Sequence, residues 1–310
     1  MNAIGYEAFT RQALFAPNRG YYTRGNVERV GIGAGTDFYT ATSIASVFAP
    51  LICAAAKNLL GGNVDFSDFT FVEIGSESAE SPIVAEAKKH FGTIKTIRVG
   101  EPICVPAKAI VFANELFDAQ PFARLVVKNG AWRELGITRG NDGELKEILL
   151  ENFSNERLAN FAGTLEIPDD DWHLDISLDA ENLMQTICAG TWQGIAIFPD
   201  YGKTVADCLA AFPAGTARAY YKHTQTNDLL ARPGEQDLTC HVMWERLENV
   251  ARGNGARNVS TLRQEAFFMR YATDEITKIA SQDQRSRNKL LELIHPSKMG
   301  HVFQILSFAK

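Results

Sequence analysis

The chain has 310 residues, 45% hydrophobic and 22% charged, enough apolar material for one large core or a core with a smaller lobe. A formal net charge of −6 gives no broad electrostatic footing for nucleic acid. Five cysteines, odd in number and without a Cys-x-x-Cys pair, read as free thiols in a reducing cytoplasm. The N-terminal stretch "MNAIGYEAFTRQALFAPNRGYY" carries Glu7 and no long apolar core, so neither a signal nor a transit peptide is expected. Nothing approaches the ~20 apolar residues of a membrane-spanning helix.

In chain order, residues 6–15 predict a short helix ended near Pro17. Residues 43–60 are strongly apolar and predict a helix with Ser43 as its cap and Gly61-Gly62 as its stop. A strand over 69–74 runs into a turn at Gly75, and Ser81-Pro82 opens a helix to 91 with Ile83, Val84, Ala87 and Phe91 on one side. "TIKTIRV" (93–99) alternates as a strand does. "AIVFA" (109–113) is continuously apolar, as a central parallel strand requires. Residues 122–137 predict a hairpin turning at Asn129-Gly130. Residues 141–193 are acidic and mixed, expected to form a variable lobe with two helices. A strand over 194–202, helices over 203–211, 241–253 and 283–294, and a closing strand over 301–308 complete the reading. The alternation of strands and helices predicts an α/β sheet, and 282–289 predicts a solvated helix face.

Ligands of open α/β sheets collect beyond the carboxyl ends of the strands. Two such ends are polar here, Glu73-Ile74-Gly75 and "FANELFDAQP", where a strand runs into Asn114, Glu115 and Asp118. Two carboxylates three residues apart share a face on a helical turn and can hold a guanidinium or an amine. The plain alternative is a first helical turn, where acids suit the helix dipole. "PDYGKT" (199–204) has Ile197 where a phosphate loop needs glycine, which excludes that motif. Arg218, Tyr220, His223, Asp237, Thr239 and His241 cluster in sequence, but their spacing matches no standard metal site, and no metal is expected.

Taken together these segments resemble the MidA-like S-adenosylmethionine-dependent methyltransferases, a family that includes a mitochondrial arginine methyltransferase of complex I assembly. "GYYTRG", "GTDFYTATSIASVFAPLI", "FVEIG", "VFANELFDAQPFARL", "IFPDYG", "GTARAY", "RPGEQDLTCHV" and "MGHVFQIL" fall in family order across nearly the whole chain. "VFANELFDAQP" is the most specific of them. The resemblance implies a single Rossmann-like methyltransferase domain, 1–310, with a seven-stranded sheet. Within it lie an N-terminal helical segment, 1–62, and an added helical lobe, 141–193. It implies S-adenosylmethionine near Glu73 and Gly75, with Asp37, Phe38 and Thr40 folding over it, and Asn114, Glu115 and Asp118 beside the transferred methyl. Asp237, Thr239 and His241 are implied on the acceptor side, and a protein arginine is the implied acceptor. Oligomeric state is left open.

The chain departs from the family at three places. Glu77 and Ala79 stand where further glycines would let backbone approach the cofactor. A carboxylate ~4 Å from the cofactor's own would cost about 1 kcal/mol in water and roughly 4 at an intermediate dielectric, unless Glu77 turns outward or pairs with the cofactor's ammonium. The acid expected ~20 residues after the glycine turn to hold the ribose is missing from "IKTIRV", leaving Glu101 as the nearest candidate. The stretch from Gly75 to Asn114 is short, as if a strand–helix unit were missing. Two readings follow: a working methyltransferase, or a catalytically silent binding or assembly protein that keeps the fold.

Overall fold

The computed structural model describes residues 3–24, 44–61, 64–76, 80–222 and 224–310. In chain order the first elements are β1 (Ile4–Gly5), α1 (Tyr6–Phe15), α2 (Ala45–Leu60), β2 (Thr70–Ile74), α3 (Pro82–Ala87), β3 (Thr93–Ile97) and β4 (Lys108–Phe112). Then come β5 (Ala123–Lys128), β6 (Ala131–Arg139), β7 (Leu145–Leu149), α4 (Glu156–Ala162), β8 (His173–Ile176), α5 (Leu178–Cys188) and β9 (Gln193–Asp200). The next are β10 (Gly202–Lys203), α6 (Val205–Ala211), β11 (Arg218–Tyr221), β12 (Thr224–Thr226), β13 (Asp237–Thr239), β14 (Val242–Met243) and α7 (Trp244–Gly253). The chain closes with β15 (Arg257–Arg263), α8 (Gln264–Tyr271), α9 (Thr273–Ala280), α10 (Gln284–Ile294) and β16 (Gln304–Ala309). Two compact units emerge, one from the described residues of 1–28, 117–182 and 202–245, the other from those of 29–116, 183–201 and 246–310.

The second unit is built on a six-stranded sheet in the order β15-β16-β9-β4-β2-β3. β3, β2, β4 and β9 are mutually parallel, whereas β16 runs antiparallel to β9 and β15 antiparallel to β16. The unbroken apolar run of β4 is explained by its central place: Ala109, Ile110, Val111 and Phe112 are all fully buried. Helix α2 supplies one cover of the sheet, packing Phe48, Leu51, Ile52 and Ala55 in one core with Phe71, Ile110, Phe112 and Ile197. It ends where Gly61 takes a positive φ of 89°.

The expected seven-stranded sheet is corrected to six strands among the described residues. The short stretch from Gly75 to Asn114 is the physical reason: it holds only α3 and β3 before β4, and β3 ends the sheet. Helix α3 stops at Ala87 rather than at 91, although Ile83, Val84, Ala87 and Phe91 are all buried as their spacing predicts. Ser43, the expected cap of α2, lies outside the described residues.

The first unit carries an antiparallel sheet in the order β1-β6-β5-β8, with β7 on the other side of β6. The Asn129-Gly130 turn joins β5 to β6 with φ of 54° and 68°, the doubly left-handed turn that matches strand twist. β5 is buried on both faces. Phe122 and Val126 pack with Tyr6, Phe9 and Leu14 of α1, and Ala123, Leu125 and Val127 pack with Leu158, Phe161 and Leu174. Segment 141–193 contains the two expected helices, α4 and α5, together with strands β7 and β8. Asp175 on β8 is almost fully buried and accepts bonds from Arg124 Nη1 (3.1 Å) and the Thr216 and Ala217 amides (2.7 and 2.8 Å). Gly215 sits so close that a Cβ would come 2.3 Å from Asp175 Oδ2, at a φ of +73°, so this turn requires glycine.

Candidate functional site

Because β2, β4 and β9 are parallel, their carboxyl ends emerge at one edge of the second unit's sheet. At the end of β2, the Gly75 amide extends the ladder to Ile97 O at 2.9 Å. Gly75 then adopts φ +81°, and a Cβ there would lie 2.9 Å from Leu116 Cδ1. Glu73 is buried one residue short of the strand's end. Its Oε2 accepts the Ser81 hydroxyl at 2.7 Å, and Ser81 Oγ in turn accepts the Val84 amide at 3.1 Å, capping α3. Burial pushes the Glu73 carboxyl above its ordinary 4.5, against the opposing pull of its bonds from Ser81 and Ser76. Glu101, beyond the end of β3, is exposed and accepts the Arg98 amide at 2.9 Å.

The end of β4 is the most unusual piece of backbone at this edge. The ladder continues past the strand, with the Glu115 amide donating to Pro199 O at 3.0 Å. Glu115 has φ +49°, a left-handed conformation that costs a non-glycine residue of order 1–3 kcal/mol. Asn114 Nδ2 donates to Glu115 Oε1 at 2.7 Å, which directs Asn114 Oδ1 elsewhere as a buried acceptor with no hydrogen-bond partner among the described residues. Next to them, at the end of β9, stands Asp200, fully buried and accepting the Tyr201 amide at 2.7 Å. Asp200 is absent from the residues picked out by sequence. The signal was there: the strand over 194–202 ends in a polar turn, and the rule about carboxyl ends applies to it as to the other two.

The boundary between the units falls between Leu116 and Phe117, so Asp118 belongs to the first unit. It is buried, and its carbonyl accepts the Cys240 amide at 3.0 Å, which ties it to the segment holding the expected acceptor-side residues. Strand alternation sends Leu238 and Cys240 into the core beside α1 and turns Asp237, Thr239 and His241 the other way. Asp237 is buried and accepts the Tyr22 hydroxyl at 2.9 Å. Thr239 pairs with Arg218 across the ladder. The His241 amide donates to Thr216 Oγ1 at 3.2 Å, and its ring meets Phe212 edge-on at 5.6 Å. Burial, helped by Lys203 and Arg218, pushes the imidazole down to about 4, so it is neutral near pH 7, and its Nδ1 is buried with no partner among the described residues. Tyr22 is the second residue that the sequence reading left out.

Asp37, Phe38, Thr40, Glu77, Ala79 and His223 lie outside the described residues. Among the described residues no group of three or more His, Cys, Asp or Glu could hold a metal ion, and no helix is long and apolar enough to cross a membrane.

Residues 69–261 match the model of a family described as "Putative S-adenosyl-L-methionine-dependent methyltransferase". The chain belongs to this family. It is 24% identical to the protein arginine methyltransferase NDUFAF7, mitochondrial, of Danio rerio, an alignment covering 98% of this chain and 83% of that one. The Bos taurus protein of the same name is also 24% identical, over 96% of this chain and 78% of its own. Among solved structures, a superfamily member from Burkholderia thailandensis bound to S-adenosyl-homocysteine superposes with a TM-score of 0.80 at 21% identity, covering 99% of this chain and 88% of that one. That likeness establishes a shared fold.

S-adenosylmethionine is therefore the cofactor of the family, and the residues at the carboxyl edge fit it. The glycine at the end of β2 lets the turn lie against Leu116, where a Cβ would strike it, and Asn114 Oδ1 is a buried acceptor with no donor among the described residues. The expectation of a cytoplasmic protein is withdrawn, because the relatives are named as mitochondrial. Free thiols distinguish reducing from oxidising surroundings, not one reducing compartment from another.

Proposed function

We propose that this protein transfers a methyl group from S-adenosylmethionine to the guanidinium of a protein arginine. The observation that carries the proposal is the end of β4, where the Glu115 carboxylate, oriented by the Asn114 amide, stands on a strained, tightly bonded stretch of backbone. Acceptor oxygens held in fixed positions suit a ligand that is all donors, and a guanidinium has five N–H donors and no acceptor. The name shared by the relatives, protein arginine methyltransferase, supports the same acceptor.

In this reading Glu73, Gly75, Glu101 and Asn114 serve the cofactor. Glu73 does so at one remove, by bonding Ser81 and so fixing the start of α3 after the turn. When bound, the cofactor supplies an electrophilic methyl on a sulfonium. The chain's own contribution is alignment and exclusion of water. Glu115 orients the guanidinium so that one nitrogen lone pair faces the methyl carbon. As the N–C bond forms, the C–S bond breaks with its electron pair passing to sulfur. The nitrogen's proton leaves to the Glu115 carboxylate or to water. On the first unit, Asp118, Asp237, Thr239 and His241 are the residues we assign to binding the acceptor protein, with His241 contributing as a neutral ring. The mitochondrial location of the relatives makes mitochondrial proteins the acceptor pool to assay.

The test is transfer of a labelled methyl group from S-adenosylmethionine to a mitochondrial protein fraction, followed by hydrolysis and identification of the methylated amino acid. Methylarginine, lost in Glu115→Gln, is the expected result. Label on another amino acid would retain methyl transfer and overturn the arginine acceptor. Cofactor binding with no transfer to any protein would favour the silent binding protein.

A further inference from the structure

Tyr22 lies in the N-terminal stretch "GYY", near the end of the described residues before 44. Its ring stacks on Phe15 (5.5 Å, 23° between planes) and meets Tyr21 edge-on (5.0 Å, 86°), so the side chain is clamped from two sides. The hydroxyl reaches across to the 237–241 segment and donates to Asp237 Oδ1 at 2.9 Å, an oxygen that also accepts the Leu238 amide at 2.9 Å, so the tyrosine completes the hold on this carboxylate. Asp118 lies near enough to act on the same phenol electrostatically. Burial, then Asp237, Tyr21 and Asp118, hold the phenol well above its ordinary range, so it remains a donor. A donor on a rigid ring is a suitable device for holding a short carboxylate in one rotamer, because little side-chain freedom remains to be lost when the acceptor arrives.

We propose that Tyr22 is a positioning residue for the acceptor: its hydroxyl fixes the Asp237 carboxylate in the orientation that receives the arginine guanidinium. This rests on the functional reading above, in which Asp237 serves the acceptor. Asp237 touches the substrate, and Tyr22 acts through it. The structural alternative is that the bond merely ties the N-terminal segment to β13.

Tyr22→Phe separates the two, because it keeps the ring packing and removes only the hydroxyl. The full chain is titrated with arginine amide, followed by NMR chemical shifts, with lysine amide as control and S-adenosyl-homocysteine titrated in parallel. The variant is expected to bind arginine amide about tenfold more weakly, the scale of one hydrogen bond to a charged group, with cofactor affinity unchanged. Tyr22→Phe combined with Asp237→Asn is expected to be no weaker than Asp237→Asn alone, since the effect of Tyr22 passes through that carboxylate. Unchanged arginine-amide binding in Tyr22→Phe, whatever its melting temperature, overturns the positioning role and leaves the acceptor reading standing. A native chain that binds cofactor but does not distinguish arginine amide from lysine amide overturns the acceptor reading and the role of Tyr22 with it.

Discussion

Gly75→Ala perturbs the turn at the end of β2 in two separable ways. The backbone there has φ +81°, and an L-residue pays roughly 1–2 kcal/mol to enter the left-handed region. The added Cβ would also stand 2.9 Å from Leu116 Cδ1, well inside the ~3.5–4.0 Å of an optimal carbon contact, so Leu116 must move. Alanine narrows the unfolded ensemble by about 0.4–1 kcal/mol in the other direction. The net expectation is a loss of about 1–3 kcal/mol in a urea denaturation curve. Cofactor affinity should fall with it, by about tenfold for each 1.4 kcal/mol of strain that reaches the bound state. Repeating the substitution in a Leu116→Ala background removes the collision and leaves the backbone penalty, so the two costs can be read apart. Full stability and full cofactor affinity in Gly75→Ala would refute the claim that this turn is built for glycine.

Other consequences follow at single residues. Glu115→Gly should be more stable than Glu115→Ala by about 1 kcal/mol, because only glycine is at ease at φ +49°, while both lose methyl transfer; equal melting curves would remove backbone strain from the account. The folded-state value of Glu73 is raised, so its contribution to stability is fully present below 4.5 and is lost as pH climbs through the raised value. Urea midpoints measured against Glu73→Gln should therefore show the native chain losing ground as pH rises. His241 has the opposite sign: lowered from 6.5 to about 4, it contributes stability that is present above 6.5 and lost as pH falls toward 4. Its imidazole NMR signals should show no titration around 6.5, and a midpoint there would contradict the burial described.

In the second unit's sheet β2, β4, β9 and β16 were legible as apolar runs and β3 as an alternating one, whereas β15, "RNVSTLR", carries no such run and was not expected. β4 has no polar residue between Ala109 and Phe112, and only a strand buried on both faces calls for that. Asn129-Gly130 was legible because both positions need positive φ. By contrast, β12 and β13, "TQT" and "DLT", carry no strand signal of their own and exist because β11 pairs with each of them. β7 and β8 were missed in the same way: a five-residue edge strand with exposed Lys146 and Glu147 reads as loop until β6 is beside it. At the site, Asn114 and Glu115 were found because they follow a conspicuous strand. Asp200 is hidden because it is at once the last residue of β9 and part of "PDYGKT", whose spacing resembles the tail of a phosphate loop. Tyr22 could not be found by spacing at all, since its partner lies 215 residues away.

The central claim, that the carboxyl edge of β2, β4 and β9 still holds S-adenosylmethionine, is tested most directly by calorimetric titration of the full chain with S-adenosylmethionine and S-adenosyl-homocysteine. Micromolar binding of both by the native chain, weakened in Asn114→Ala, is the predicted result. No binding by the native chain, with binding appearing only in Glu77→Gly, would contradict it and would mean that the altered turn has closed the site.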